Sequence, residues 1–181
     1  MTHPVVRELV HDSRLHVLAQ QVLGPDAFAF RATLFDKSPD SNWLITWHQD
    51  KALPLQEKRE TPGWGPWSVK MGMNYAHAPA DALVQVVALR LHLDDCTEGN
   101  GPLRVLPGTH TLGVLSDEEV EKLAVQNAAV TCLAPRGGVL LMRPLLIHAS
   151  SKLQTEAPRR VLHIEYASSQ VPAEGLRLAL A

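Results

Sequence analysis

From residue 4 to residue 23 the apolar positions Val6, Leu9, Val10, Val17 and Leu18 fall near helical spacing, and Gly24-Pro25 follows them. The spacing predicts one helix there. The period then shortens. AFAFRATLFDK (27–37) is rich in aromatic and β-preferring residues and reads as a strand, KSPDSN as a turn, and WLITWHQD (43–50) as a second strand. QEKRETPGWGPW (56–67) carries two prolines, two glycines and two tryptophans, a loop composition. Its tryptophans could cover a pocket as a lid, or plug the end of the core.

The second half repeats the short period. ALVQVVALRLHLDD (82–95) contains a strand, and TEGNGPLRVLPGTH is a tight turn, a short strand and another turn. SDEEVEKLAVQNAA is the clearest helix: Ser116 caps it, Glu119 completes a capping box, and three acidic residues occupy its first turn. Two short strands flank Arg136-Gly137-Gly138, an apolar strand GVLLMRPLLI runs up to His148, and RRVLHIEYA (159–167) is the final strand. Many short strands with Gly/Pro turns and few helices predict a mainly β fold, a sandwich or jelly roll.

Length and charge narrow the function classes. The chain has 181 residues, enough for a single domain over 1–181 with its own core and no disulfides. The formal net charge of -2 gives a nucleic acid or an anionic membrane no electrostatic support. Cys96 and Cys132 lie far apart and form no CxxC pair, which argues against a zinc ribbon and for a reducing compartment. MTHPVVRELVHDSRLH has charges throughout and does not read as a signal peptide, and no apolar run approaches the ~20 residues of a membrane span. The expected setting is cytoplasmic. The sequence carries no signal for an oligomeric state.

The chemistry starts where a strand departs from its pattern. In WLITWHQD, His48 and Asp50 are two apart, so on a strand they project to one face while Gln49 faces the other. A buried carboxylate needs a partner or a metal. An imidazole and a carboxylate side by side supply two ligands, and a facial two-histidine, one-carboxylate site needs one more histidine from elsewhere in the fold. His3, His11 and His16 read as solvated on the first helix, His77 and His110 lie in loops, and His92 and His163 on strands. His148 stands apart, after an apolar strand and before the small polar ASSK, where it faces a barrel mouth or serves as a structural histidine. Eleven residues later Arg159 enters a mostly apolar strand and calls for an anion such as a carboxylate, unless it is a surface charge like its neighbour Arg160.

These segments together, WHQD, then NGPLRVLPGTH, then His148-x-Ser150 followed by PRR, resemble the phytanoyl-CoA dioxygenase family of Fe(II)- and 2-oxoglutarate-dependent oxygenases over about residues 29–167. The resemblance implies a double-stranded β-helix. It implies His48, Asp50 and His148 as Fe(II) ligands, and Arg159 with Ser150 beside it as partners of the distal carboxylate of 2-oxoglutarate. A further co-substrate contact of the family falls near Thr33, and another, commonly a tryptophan, falls at Arg90. Substrates of the family are small molecules oxidised with dioxygen. Related halogenases lack the carboxylate ligand, so Asp50 favours hydroxylation.

Two features depart from the family. Arg90, His92 and Asp94 alternate with Leu89, Leu91 and Leu93, giving the strand a polar face that either lines the metal cavity or meets solvent. On the first alternative Arg90 replaces the tryptophan as a co-substrate contact or binds an anionic group of the prime substrate. The second departure is a family lysine from a longer N-terminal region, which has no counterpart here. Two rival readings remain: a cupin-like enzyme using the metal without 2-oxoglutarate, and a metal-binding regulatory protein or pseudo-enzyme without turnover.

Overall fold

The structure, a computed structural model, describes residues 3–180. In chain order its elements are α1 (Pro4–Val10), α2 (Ser13–Leu23), β1 (Phe28–Lys37), β2 (Ile45–His48), β3 (Ala52–Leu55), β4 (Trp67–Lys70) and β5 (Met73–His77). They continue with α3 (Ala80–Leu83), β6 (Val86–His92), β7 (Leu103–Val105), α4 (Asp117–Gln126), β8 (Val130–Cys132), β9 (Val139–Met142), β10 (His148–Ser150) and β11 (Arg159–Ala167). No helix among the described residues is long and apolar enough to cross a membrane.

The chain divides into two compact units. The first comprises residues up to Ala32, Lys51–Leu89 and Ile164 onward. The helix predicted over 4–23 is two helices here. The Asp12 carboxylate accepts the Arg14 backbone N–H at 2.9 Å and starts α2 in the middle of the predicted span. A side-chain acceptor that satisfies an N-terminal donor outcompetes helix continuation. The buried stripe is consequently Val10, Leu15 and Ala19, while Val17 is 48% exposed. Residues 52–77, of which only a loop was predicted, also form an antiparallel sheet, β3-β5-β4, with Leu53 opposite Ala76 and Ser68 opposite Tyr75. Trp64 is buried within this unit, the core-plug alternative of its two readings, and Trp67 opens β4.

The second unit comprises Thr33–Asp50 and Arg90–His163 and holds every residue of the candidate site. Its own sheet runs β2-β10-β7-β8, antiparallel throughout, with His148 opposite His48 on one side and Val105 on the other. Leu106, Val120 and Ile147 form its buried core, against which Trp47, Leu115, Leu123 and Ala124 pack. The α4 helix contributes Val120 to that core and starts at Ser116 with the predicted capping box. The long apolar strand predicted up to His148 stops at Met142, and β10 begins anew at His148. Pro144 lies in the gap, and a proline has no N–H to extend a ladder.

A second four-stranded sheet has the order β1-β11-β6-β9. Along the chain, β1 is followed by β2 of the other sheet, β6 by β7, β8 by β9, and β10 by β11. This alternation of successive strands between two sheets is the jelly-roll arrangement.

Candidate metal centre and anion pocket

His48 closes β2 and Asp50 lies just beyond the strand end, so the pleat alone does not align them. Gln49 between them does. It is buried, donates through Nε2 to the carbonyls of Gly113 and Leu145, each at 2.9 Å, and accepts the Leu115 N–H at 2.9 Å. The Asp50 N–H donates to the Pro144 carbonyl at 2.9 Å. With Gln49 turned inward and fastened at three points, its two neighbours project together. The third residue arrives by cross-strand pairing. His148 stands opposite His48, and the two rings lie 4.2 Å apart at 51°.

The protonation pattern suits a cation. His48 Nδ1 lies 2.8 Å from the Thr46 carbonyl, and His148 Nδ1 lies 2.8 Å from the Leu146 carbonyl. A carbonyl only accepts, so each Nδ1 carries the hydrogen and each Nε2 presents its lone pair. Both Nε2 atoms lie 3.6 Å from an Asp50 carboxylate oxygen, one on each. The three donor atoms all lie within 4.8 Å of one another and could hold a metal ion. Burial pushes the Asp50 carboxyl up, but the charge that His48 and His148 carry once protonated at Nε2 outweighs it and holds the carboxyl well below the usual range. Burial lowers His148 to about 4, against the pull of Asp50. Two imidazoles and one carboxylate form the donor set of non-haem ferrous sites that keep positions open.

Beside this cluster lies a cavity of about 220 Å³, lined by His48, Asp50 and His148 together with Arg90, Arg159 and Ser150. Phe35, Trp43, Ile45 and Leu103 complete its wall. Arg159 opens β11 and is 3% exposed. Its Nε donates to the Asn100 carbonyl at 3.3 Å and its Nη2 to Ser150 Oγ at 3.2 Å, while Nη1 is buried without a partner among the described residues. A buried guanidinium nitrogen left unsatisfied is costly, so this end of the pocket fits an anion. The Gly-Asn-Gly-Pro turn (99–102) positions this end. The Asn100 carbonyl holds Arg159, and the Gly101 carbonyl accepts the Ser150 hydroxyl at 2.8 Å.

The sequence reading finds no lysine for the pocket, and the structure supplies one. Lys37, the last residue of β1, is fully buried. Its Nζ donates to Ser150 Oγ at 2.8 Å and to the Ser151 carbonyl, and it faces the Trp43 ring at 5.5 Å. The signal lay in the alternation Thr33, Phe35, Lys37 along one face of the strand read over 27–37, an alternation that does not say which face is inside. Thr33 itself is half-buried on β1 and is not among the residues lining the cavity. Phe35, two positions on, takes that place. The predicted polar face 90/92/94 divides in three. Arg90 lines the cavity, His92 ends β6 buried with neither ring nitrogen partnered among the described residues, and Asp94, beyond the strand, pairs with the guanidinium of Arg160 at 2.7 Å. Arg160 is thus the surface charge of the pair, and Arg159 the buried one.

Two predictions arise here. Burial and the nearby charges of Arg159 and Arg90 lower the Lys37 pKa from 10.5 to about 8. Between those values the unfolded chain still holds a proton that the folded chain has lost, so stability rises with pH across that window. Wild type should therefore gain stability relative to Lys37→Met between about pH 8 and pH 10.5, by about 1–3 kcal/mol, as read by urea unfolding; a flat difference would mean that Lys37 is not buried as a cation. The second concerns Gly101, whose φ is +70°. A Cβ there would sit 2.5 Å from the Ser151 carbonyl oxygen and 3.0 Å from Lys37 Cδ. Gly101→Ala should cost at least about 1–2 kcal/mol from its backbone conformation alone, lowering the melting temperature and loosening Ser150.

Comparison with known proteins agrees with this geometry. The chain is 26% identical to an L-proline trans-4-hydroxylase from Streptomyces griseoviridis, an alignment covering 90% of this chain and 62% of that protein. It is 24% identical to an ectoine dioxygenase from Sphingopyxis alaskensis, covering 90% of this chain and 54% of that one. The chain thus spans less than two thirds of the length of these curated relatives. The crystal structure of AviO1 from Streptomyces viridochromogenes Tue57 superposes with a TM-score of 0.65 at 27% identity, over 92% of this chain and 62% of that one. The mainly β, jelly-roll architecture is shared. The sequence profile described as phytanoyl-CoA dioxygenase matches residues 1–161, which include the histidine that ends β2, the aspartate just beyond it, the histidine of β10 and the arginine that opens β11, and the chain belongs to that family.

Proposed function

We propose that this protein is an Fe(II)- and 2-oxoglutarate-dependent oxygenase that hydroxylates a small molecule with dioxygen. One observation carries the reading: a His-Asp-His donor cluster and a buried guanidinium with one nitrogen unpartnered among the described residues share a single small cavity. Relatives named as a proline hydroxylase and an ectoine dioxygenase support the reaction class. The two free cysteines, one of them buried, support a reducing, cytoplasmic setting.

His48, Asp50 and His148 would hold the iron. Each histidine is oriented by its Nδ1–H bond to a carbonyl, and Asp50 by the pinned turn at Gln49. Arg159, whose Nη1 is buried with no partner among the described residues, would bind the distal carboxylate of the co-substrate. Ser150 Oγ, held by Lys37, Arg159 and the Gly101 carbonyl, fixes the angle of that guanidinium. Phe35, Trp43, Ile45 and Leu103 give the cavity beside the donor cluster an apolar wall. When bound, ferrous iron with 2-oxoglutarate supplies the oxidising chemistry, the co-substrate leaving as succinate and CO2.

The test is an anaerobic titration of the metal-free protein with Fe(II) and then 2-oxoglutarate, followed in the visible range, and then succinate formation on admitting air. A charge-transfer band followed by succinate supports the reading. Iron binding with no band returns the protein to the cupin-like or regulatory alternatives.

A further inference from the structure

The cavity holds more positive charge than a metal and a dicarboxylate balance. Its charged lining residues are Asp50, Arg90 and Arg159. On the reading above, Asp50 is taken up by the metal and Arg159 by the co-substrate. Arg90 is left over. It is 6% exposed, and burying a cation without an anion is costly. What surrounds it orients it without neutralising it. Its Nη1 donates to His163 Nδ1 at 3.1 Å, and a nitrogen that accepts belongs to a neutral ring. Its Cζ lies 5.4 Å from the Phe35 ring centre. Its Nε is buried without a partner among the described residues.

From this arrangement we infer that Arg90 binds a carboxylate of the prime substrate, and that the substrate is a small monocarboxylate with an apolar body. A guanidinium edge presents two parallel N–H donors that match a carboxylate. The rest of the wall, Phe35, Trp43, Ile45 and Leu103, is apolar or aromatic and suits a hydrocarbon body. At about 220 Å³ the cavity is smaller than the ~300–1,000 Å³ typical of drug-sized ligand sites, which limits the substrate to few atoms. Held at Arg90, the acid group would anchor one end of the substrate while a carbon elsewhere on it faces the donor cluster. The inference deepens the oxygenase reading and rests on it for the roles of Asp50 and Arg159.

The experiment is calorimetric titration of protein loaded with Ni(II) and 2-oxoglutarate, a complex that does not turn over. The probes are butanoate and cyclopentanecarboxylate, each beside its primary amide. Wild type should bind the acids at least about tenfold more tightly than the amides. Arg90→Met should erase that preference, Arg90→Lys should restore part of it, and 2-oxoglutarate should bind both variants as it binds wild type. Equal binding of acid and amide by wild type overturns the proposal. So does an Arg90→Met variant that loses 2-oxoglutarate affinity and keeps the acid preference, which would assign Arg90 to the co-substrate. Melting curves check that both variants are folded, and the lysine variant keeps the test open should the methionine variant fail. If wild type binds no 2-oxoglutarate in any metal state, the oxygenase reading falls, while the acid-against-amide comparison at Arg90 still decides this one.

Discussion

Asp50→Ala should abolish Fe(II) binding and 2-oxoglutarate turnover together. The carboxylate is the only anionic donor in the cluster, and its two oxygens each face one imidazole Nε2 at 3.6 Å. Without it, two neutral nitrogens face a cavity that also contains Arg90 and Arg159, with Lys37 close behind Ser150. A divalent cation entering there meets net repulsion. Losing a group that merely supports a ligand typically costs ~10–100-fold in metal affinity, and losing the ligand itself should exceed that. His148→Ala should behave alike, because its ring is buried and its Nε2 is aimed at the same point. Equilibrium dialysis with Fe(II) under argon reads the effect directly. Wild-type affinity in either variant would remove these residues from the site.

Arg159→Ala should weaken 2-oxoglutarate binding by roughly one to two orders of magnitude, the effect of losing a charge-assisted bond worth ~1.5–3 kcal/mol, with metal binding unchanged. The expected signature is specific. Arg159 makes no ion pair among the described residues, and after burial its charge is the next cause that depresses the pKa of Lys37 and Arg90. Removing it relieves a repulsion, so the melting temperature should change little although a buried side chain is lost. Arg159→Lys should not rescue binding, because an ammonium cannot reproduce the fork that engages Ser150 and the Asn100 carbonyl at once. If Arg159→Ala leaves 2-oxoglutarate affinity intact, the distal carboxylate belongs to Lys37 or Arg90.

Much of the fold was legible because local signals were strong. The α4 helix carries a cap, a capping box and an acidic first turn, and the structure starts it where those residues stand. The β11 strand spans Arg159–Ala167, the stretch read as RRVLHIEYA. Where local signals compete, the reading failed. Asp12 carries both a helix-compatible position and a capping carboxylate, and the cap won. Residues 52–77 contain proline, glycine and exposed polar positions, yet form a sheet because cross-strand partners supply what propensity lacks.

The candidate site divides the same way. His48, Asp50, His148, Ser150 and Arg159 were nameable from spacing and family resemblance, since ligand types and turn residues are written locally. Their convergence was not. It depends on the His48–His148 pairing across 100 positions of sequence, and on Gln49 reaching Gly113, Leu115 and Leu145. Lys37 ends the predicted strand and begins the predicted turn, and nothing local says that Ser150 comes to meet it from 113 residues away. Arg90 could have faced solvent or cavity, because strand alternation separates two faces without saying which is inside. The sequence by itself determined the donor types, the strand content and the family. Only the tertiary structure decided which cations are buried, because burial is a property of what packs against a face, and those partners lie far along the chain.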